Sequence, residues 1–267
     1  MKTKEPIQWM VLCACLLLAL SASMLAAETK TGAATDDQWQ FEATPYFWFM
    51  SIKGDSTMEG VTGDVDVSFS DLLDYFNYGG AIRMDAYKGK WGLKSDVLMI
   101  DLGEDFKGPF GNRGEVDLRQ WAADFAVSYE VLSLPMDEEE SCQLTFSPYG
   151  GFRYNYLKQK VKLPAPIGSV GDSHDWVDVL VGGSIKMELT EKLSANIEGD
   201  VGGFGIGSGS DLTWQVMAGF NYTLSEHVDF KFGYRHLDMD YSRGSGSEEF
   251  GLDVDYSGPI MGVTIKW

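Results

Sequence analysis

The chain has 267 residues, 44% of them hydrophobic, and a formal net charge of −19. A chain this acidic lacks the basic footprint that nucleic-acid binding requires, and charge alone does not draw it to anionic headgroups. Only its first residues form a long apolar run, which excludes a bundle of membrane-spanning helices.

That run opens the chain. Lys2 and Lys4 precede a nearly continuous apolar stretch from Trp9 to Leu20, and Ser21, Ala22, Ser23, Ala26 and Ala27 follow it. A basic start, an apolar middle and small residues at the end read as a cleaved secretory signal over residues 1–27, with Ser23 as the alternative cut. Residues 28–38 are polar and are expected to be disordered. Cys142 is then the one thiol of the exported chain, so no intramolecular disulfide is expected.

From Trp39 on, the sequence alternates. Trp39 to Met50 sets Trp39, Phe41, Ala43, Pro45, Phe47 and Phe49 against Gln40, Glu42, Thr44 and Tyr46. Successive strand residues point to opposite faces, so this is a strand with one apolar and one polar face. Lys53 to Tyr78 reads as a long connection, with a short helix over Ser70–Phe76 that begins on a serine. Gly80 to Lys88 opposes Ile82, Met84 and Ala86 to Arg83 and Asp85, and a Lys-Gly-Lys turn leads into Trp91 to Leu102. Both faces of that strand become apolar near Ile100.

Residues 103–114 read as a Gly-rich loop. Glu115 to Val131 alternates clearly, with Trp121, Phe125, Val127 and Tyr129 against Gln120, Asp124, Ser128 and Glu130. A turn at 133–141 carries an acidic run. Leu144 to Leu157, Trp176 to Leu189 and Leu193 to Gly203 continue the pattern, with a loop at 158–173. The Gly/Ser stretch 204–210 reads as a flexible hairpin loop. With Gly203 it superficially resembles a phosphate loop, but no helix follows to supply the cradling N–H groups. Asp211 to Leu224, Val228 to Leu237 and Phe250 to Trp267 complete the set, with a loop at 238–249.

About ten strands result, an even number, and an eight- or twelve-strand count also fits. Long and short connections alternate along the chain. The expected fold is all-β: an antiparallel up-and-down transmembrane β-barrel over residues 39–267. Its last strand sets Pro259, Met261, Val263, Ile265 and Trp267 on one face and stops on an aromatic residue, so Trp267 is the candidate insertion signal. On this reading the charged face lines the lumen. Glu42, Arg83, Asp85, Lys94, Asp96, Asp124, Arg153, Asp178, Lys186, Glu198, Lys231 and Arg235 form the expected charge network. Opposite charges in a narrow lumen favour a paired plug over an open pore. A soluble barrel with the faces exchanged is the alternative.

The phrases ATPYFW (43–48), VDVSFSDLL (65–73), KGKWGLKSDV (88–97), DVGGFGIGS (200–208), TWQ (213–215), GYRHLDMDY (233–241) and SGPIMGVTIKW (257–267) resemble those of bacterial outer-membrane β-barrel proteins. More narrowly, they resemble a group of uncharacterised outer-membrane barrels. The resemblance implies a fold and a compartment, the cell outer membrane. It carries no reaction.

No enzyme activity, catalytic residue or cofactor is expected. His236 and Asp238 sit at a strand end, where a general base is one reading, and ten-stranded omptin proteases match in topology alone. Ser173, His174 and Asp175 are contiguous, which is the wrong geometry for a triad. Asp238, Asp240, Asp253 and Asp255 lie on the arms of the last hairpin and are divalent-cation candidates. The expected function is structural or surface-interacting, with acidic extracellular loops; a narrow cation-preferring channel is the alternative, and a surface hydrolase a more distant one. The expected partners are outer-membrane lipid, lipopolysaccharide, the barrel-assembly machinery and periplasmic chaperones. A monomer is expected.

Overall fold

Side-chain alternation makes each strand two-faced, and ten such strands bury their lumen face by closing on themselves. The computed structural model describes residues 38–107, 113–136, 142–162 and 168–267. The expected leader, nearly all of segment 28–38, the acidic run 137–140 and Pro164 and Pro166 lie outside the described residues.

The elements run β1 (Gln40–Trp48), β2 (Ser51–Met58), β3 (Val61–Val67), α1 (Phe69–Tyr75), β4 (Phe76–Lys88) and β5 (Trp91–Lys107). Then come β6 (Arg113–Tyr129), β7 (Leu132–Pro135), β8 (Gln143–Lys162), β9 (Ser169–Thr190) and β10 (Leu193–Gly203). β11 (Leu212–Ser225), β12 (Val228–Arg243), one 3-10 turn at Gly246–Glu248 and β13 (Phe250–Lys266) finish the chain. The sheet order is β1-β4-β5-β6-β8-β9-β10-β11-β12-β13, and β1 pairs with β13 to close a ten-stranded antiparallel barrel. β2, β3 and β7 are additional strands outside that ring.

The closing seam is built from its first and last residues. Phe41 and Trp267 exchange backbone hydrogen bonds of 3.0 and 3.1 Å. The Trp267 ring stacks on Phe41, which stacks on Trp39. Inside the same seam the Thr44 and Thr264 hydroxyls meet at 2.8 Å.

Several expected loops are strand. β5 and β6 pair as far as Lys107 and Arg113, β8 and β9 as far as Lys162 and Ser169, and β12 runs to Arg243. The expected turn 133–141 opens with β7, which pairs with β8 and extends the wall beyond β6. The connection 53–78 contains a hairpin, β2–β3, turning on Glu59 (φ 50°) and Gly60 (φ 73°). Positive φ at both central residues is the geometry of the tight turn whose twist matches paired strands. The helix behind it begins one residue earlier than expected and is capped by Ser68, not Ser70. The Ser68 side chain accepts from the Asp71 backbone, and Asp71 accepts from the Ser68 backbone at 3.1 Å, which is a capping box. These bonds hold the Asp71 carboxyl below its ordinary range.

On the long strands β5, β12 and β13 the residue parity holds, but its chemistry inverts partway along. On β12, Phe230, Phe232 and Tyr234 face out while Lys231 and Arg235 face in. Two residues on, Leu237, Met239 and Tyr241 are buried inside, and Asp238 and Asp240 face out. β5 does the same: Lys94 and Asp96 give way inside to Leu98, Ile100 and Leu102. The half that carries the termini is apolar outside and charged inside. The far half is apolar inside, with Trp48, Ile52, Trp176, Phe250, Leu252 and Val254 in its core, and charged outside. The two apolar faces at Ile100 mark the level where one pattern replaces the other.

The far half is not fully ringed. β4 starts opposite Leu102, so the last residues of β5 pair with β6 alone, and β3 pairs only with β2 among the described strands. α1 lies across this opening, touching β2 and β5, with Leu72 buried in the core.

Candidate functional site

The charged half of the lumen is the feature with the most chemistry. Strands from opposite sides of the ring bring its side chains together. Arg83 on β4 donates to Asp85 at 2.8 and 3.3 Å and to Glu198, across the lumen on β10, at 3.0 and 2.9 Å. Lys94 donates to the same Glu198 at 2.5 Å. Planar guanidinium groups favour such two-point contacts with carboxylates.

A second group sits one level higher. Arg153 donates to Asp124, to Asp200 at 3.1 Å and to the Thr213 hydroxyl at 3.2 Å. Gln215 donates to Asp200 at 2.6 Å and accepts from Arg235 at 2.7 and 3.1 Å. Arg235 also donates to the Tyr46 hydroxyl, which donates to Asp96, both at 2.7 Å. The Tyr149 hydroxyl donates to Asp200 at 3.0 Å, and its ring lies 4.5 Å from Lys94, joining the two groups. Arg235 stacks over the Trp48 ring at 4.8 Å, the first layer of the apolar core. The space left among these side chains is about 30 Å³, room for about one water.

The remaining expected lumen residues fall elsewhere. Glu42 and Lys231 share the inward parity with the Arg83 group but make none of its hydrogen bonds. Lys186 is exposed at the terminal mouth and pairs with Glu188 at 3.1 Å, outside the network. Among the described residues, no cation lies within salt-bridge distance of Asp178. It accepts from the Ser210 backbone at 2.6 Å, the Ser210 hydroxyl at 3.0 Å and the Asn155 amide at 2.8 Å. Ser210 in turn accepts from the Trp176 indole at 2.9 Å. The Gly/Ser stretch 204–210 is therefore docked against the interior wall by Asp178, where a flexible loop was expected. Asp200, Gln215, Tyr46 and Tyr149 belong to the network and were missing from the expected set. All four share the lumen parity of their strands, Tyr46 with Glu42 and Tyr149 with Arg153, but only Asp200 carries a charge.

The far exterior carries a different arrangement. Asp238 stands opposite Asp255, and Asp240 opposite Asp253. Asp253 is opposite Asp55 on β2, and Asp55 opposite Asp64 on β3. Asp240, Asp253, Asp55 and Asp64 thus form one row across four strands. The adjacent row runs Asp238, Asp255, Lys53, Asp66. Burial, and then the facing Asp255 and Asp253, raise the Asp238 and Asp240 carboxyls above the usual range. Among the described residues no group of three acidic, cysteine or histidine side chains is disposed to hold a metal ion. His236 faces out, its ring tilted against Trp214 at 4.7 Å between centroids and 3.3 Å from Asp255. His174 is 2.9 Å from Asp172, not part of a triad with its neighbours.

The profile of the family described as outer membrane protein beta-barrel domain matches residues 12–257. The chain belongs to this family. Membership places it with the β-barrels of the Gram-negative outer membrane. Among solved structures, the outer membrane protease OmpT from Escherichia coli aligns over 90% of this chain and 100% of its own, with 9% identity and a TM-score of 0.50. OprG from Pseudomonas aeruginosa aligns over 88% and 99%, with 17% identity and a TM-score of 0.33. Ail, the attachment invasion locus protein of Yersinia pestis, aligns over 86% and 99%, with 9% identity and a TM-score of 0.33. At these identities the likeness to OmpT shows the fold alone. A search of curated proteins finds no match.

Proposed function

We propose that this outer-membrane barrel is a closed, non-conducting wall protein of structural or surface-interaction type, and not an enzyme. The observation that carries the reading is the lumen belt. Arg83, Lys94, Arg153 and Arg235 are each hydrogen-bonded to carboxylates, and about 30 Å³ remains between them. A hydrated ion needs a continuous wet path, and the apolar core above the belt offers none. On this reading the short turns and both termini face the periplasm, after removal of the leader. The far half stands outside the membrane and presents its acidic rows to the medium, next to lipopolysaccharide.

The test is solute entry into liposomes carrying the folded protein. The reading requires that small sugars and amino acids enter no faster than into empty liposomes. Swelling that scales with protein content would replace it with the channel reading.

A further inference from the structure

We propose that the outer edge of β3 is a strand-addition site for an extended, cationic polypeptide segment. The proposal names a partner class for the surface-interaction reading and rests on it.

Among the described residues the edge is free. β3 pairs only with β2 among the described strands. The two-residue turn at Glu59–Gly60 makes Met58 and Val61 a hydrogen-bonded pair, so bonded pairs recur at every second residue from there. The backbone N–H and C=O groups of Thr62, Asp64 and Asp66 therefore point away from β2, toward the free side. All three residues are exposed, and a side chain added at Gly63 would meet nothing within 4 Å. The strand itself is held firmly. Val65 and Val67 pack on the core, and the Gly60 N–H donates to the Glu249 carbonyl at 3.1 Å.

Free edges are usually blunted by lysine, proline or a bulge. β3 has none of the first two, and its residues pair with β2 without a register shift. What it has instead selects the occupant. The row Asp240, Asp253, Asp55, Asp64 runs across the sheet and ends at this edge. An incoming antiparallel strand places a side chain directly opposite Asp64 on the same face, and like charges there repel. A second copy of β3 centred on this position would set Asp64 against Asp64. A strand with lysine or arginine at alternate positions extends the row with the opposite sign.

The probe is a dye-labelled peptide of alternating lysine and valine, titrated by anisotropy against the folded full chain in zwitterionic detergent. The lysines are the residues that bond to the β3 edge, so N-methylation at lysine blocks pairing and N-methylation at valine does not. The site predicts binding of the parent and valine-methylated peptides, and about tenfold or weaker binding of the lysine-methylated one. Asp64→Pro removes an edge N–H that β2 does not use, so it abolishes binding while the barrel stays folded, running faster on a gel unboiled than boiled as a closed barrel is expected to. Asp64→Lys combined with Asp66→Lys shifts preference to a glutamate–valine peptide. Equal binding of the two methylated peptides means charge attraction alone and overturns the site. So does absence of binding by the parent peptide. Liposome entry, read on the same preparation, reports on the closed lumen separately.

Discussion

Arg153 meets Asp124 through two hydrogen bonds, Nε to Oδ1 at 2.7 Å and Nη2 to Oδ2 at 2.9 Å, and the arginine is 1% exposed. The contact joins β6 to β8 inside the lumen and places the guanidinium within reach of Asp200 on β10. Removing one member of a buried pair strands the charges that remain. Arg153→Met is expected to destabilise the barrel by about 3–5 kcal/mol, measured by urea unfolding in detergent micelles. Arg153→Met combined with Asp124→Leu loses less than the sum of the two single variants, because neither side of the pair is left alone.

Leu72 is buried where α1 crosses the opening between β2 and β5. Leu72→Ala leaves a cavity worth about 2–5 kcal/mol at a well-packed site. The loss is local: amide exchange in α1, β2 and β3 speeds, while β10 and β11 on the wall keep their protection. Ser68→Ala removes the cap, costs about 1 kcal/mol, and changes the same amides less.

The acidic rows give the far half a pH dependence. Asp238 and Asp240 are held above the ordinary carboxylate range by burial and by Asp255 and Asp253, so the folded state binds these protons more tightly than the unfolded chain. Stability therefore rises as pH falls through their folded-state values, and the gain is complete below the unfolded value of about 3.9. Protease resistance of the β12–β13 hairpin is expected to increase as pH falls from neutral toward the ordinary carboxylate range. Asp238→Asn with Asp240→Asn raises resistance at pH 7 and flattens the profile.

Gly203 closes β10 with a φ of 85°, and a Cβ there would lie 2.5 Å from the Ser210 carbonyl oxygen. Gly203→Ala is expected to lift the 204–210 loop from the wall and break the Asp178–Ser210 contacts. A rise in Trp176 quenching by iodide, with the barrel still resistant to unfolding below boiling, is the expected sign.

Alternation made the wall legible, because a strand that separates lumen from lipid must keep one parity apolar. Trp121 to Tyr129 and Val228 to Tyr234 identify both face and phase. The same rule obscured the far half. Leu98 and Ile100 share the lumen parity with Lys94 and Asp96 but serve an apolar core, and no period separates the two. The β2–β3 hairpin was hidden because Glu59-Gly60 is a weaker turn signal than an asparagine-glycine pair. Parity identified Arg83 and Glu198 as lumen residues but could not pair them, since they are 115 positions apart and meet only when the ring closes. Tyr46 and Gln215 were missed for a related reason: neutral residues join a charge network through geometry, which composition does not record.

The closed lumen is tested most directly by single-channel recording in a planar bilayer, with the parent protein and Arg153→Ala side by side. The belt predicts a silent membrane for the parent at voltages of either sign, and brief flickering steps once Arg153 no longer fills the space between Asp124 and Asp200. Stable, ohmic steps from the parent would contradict the account and mark the barrel as an open pore.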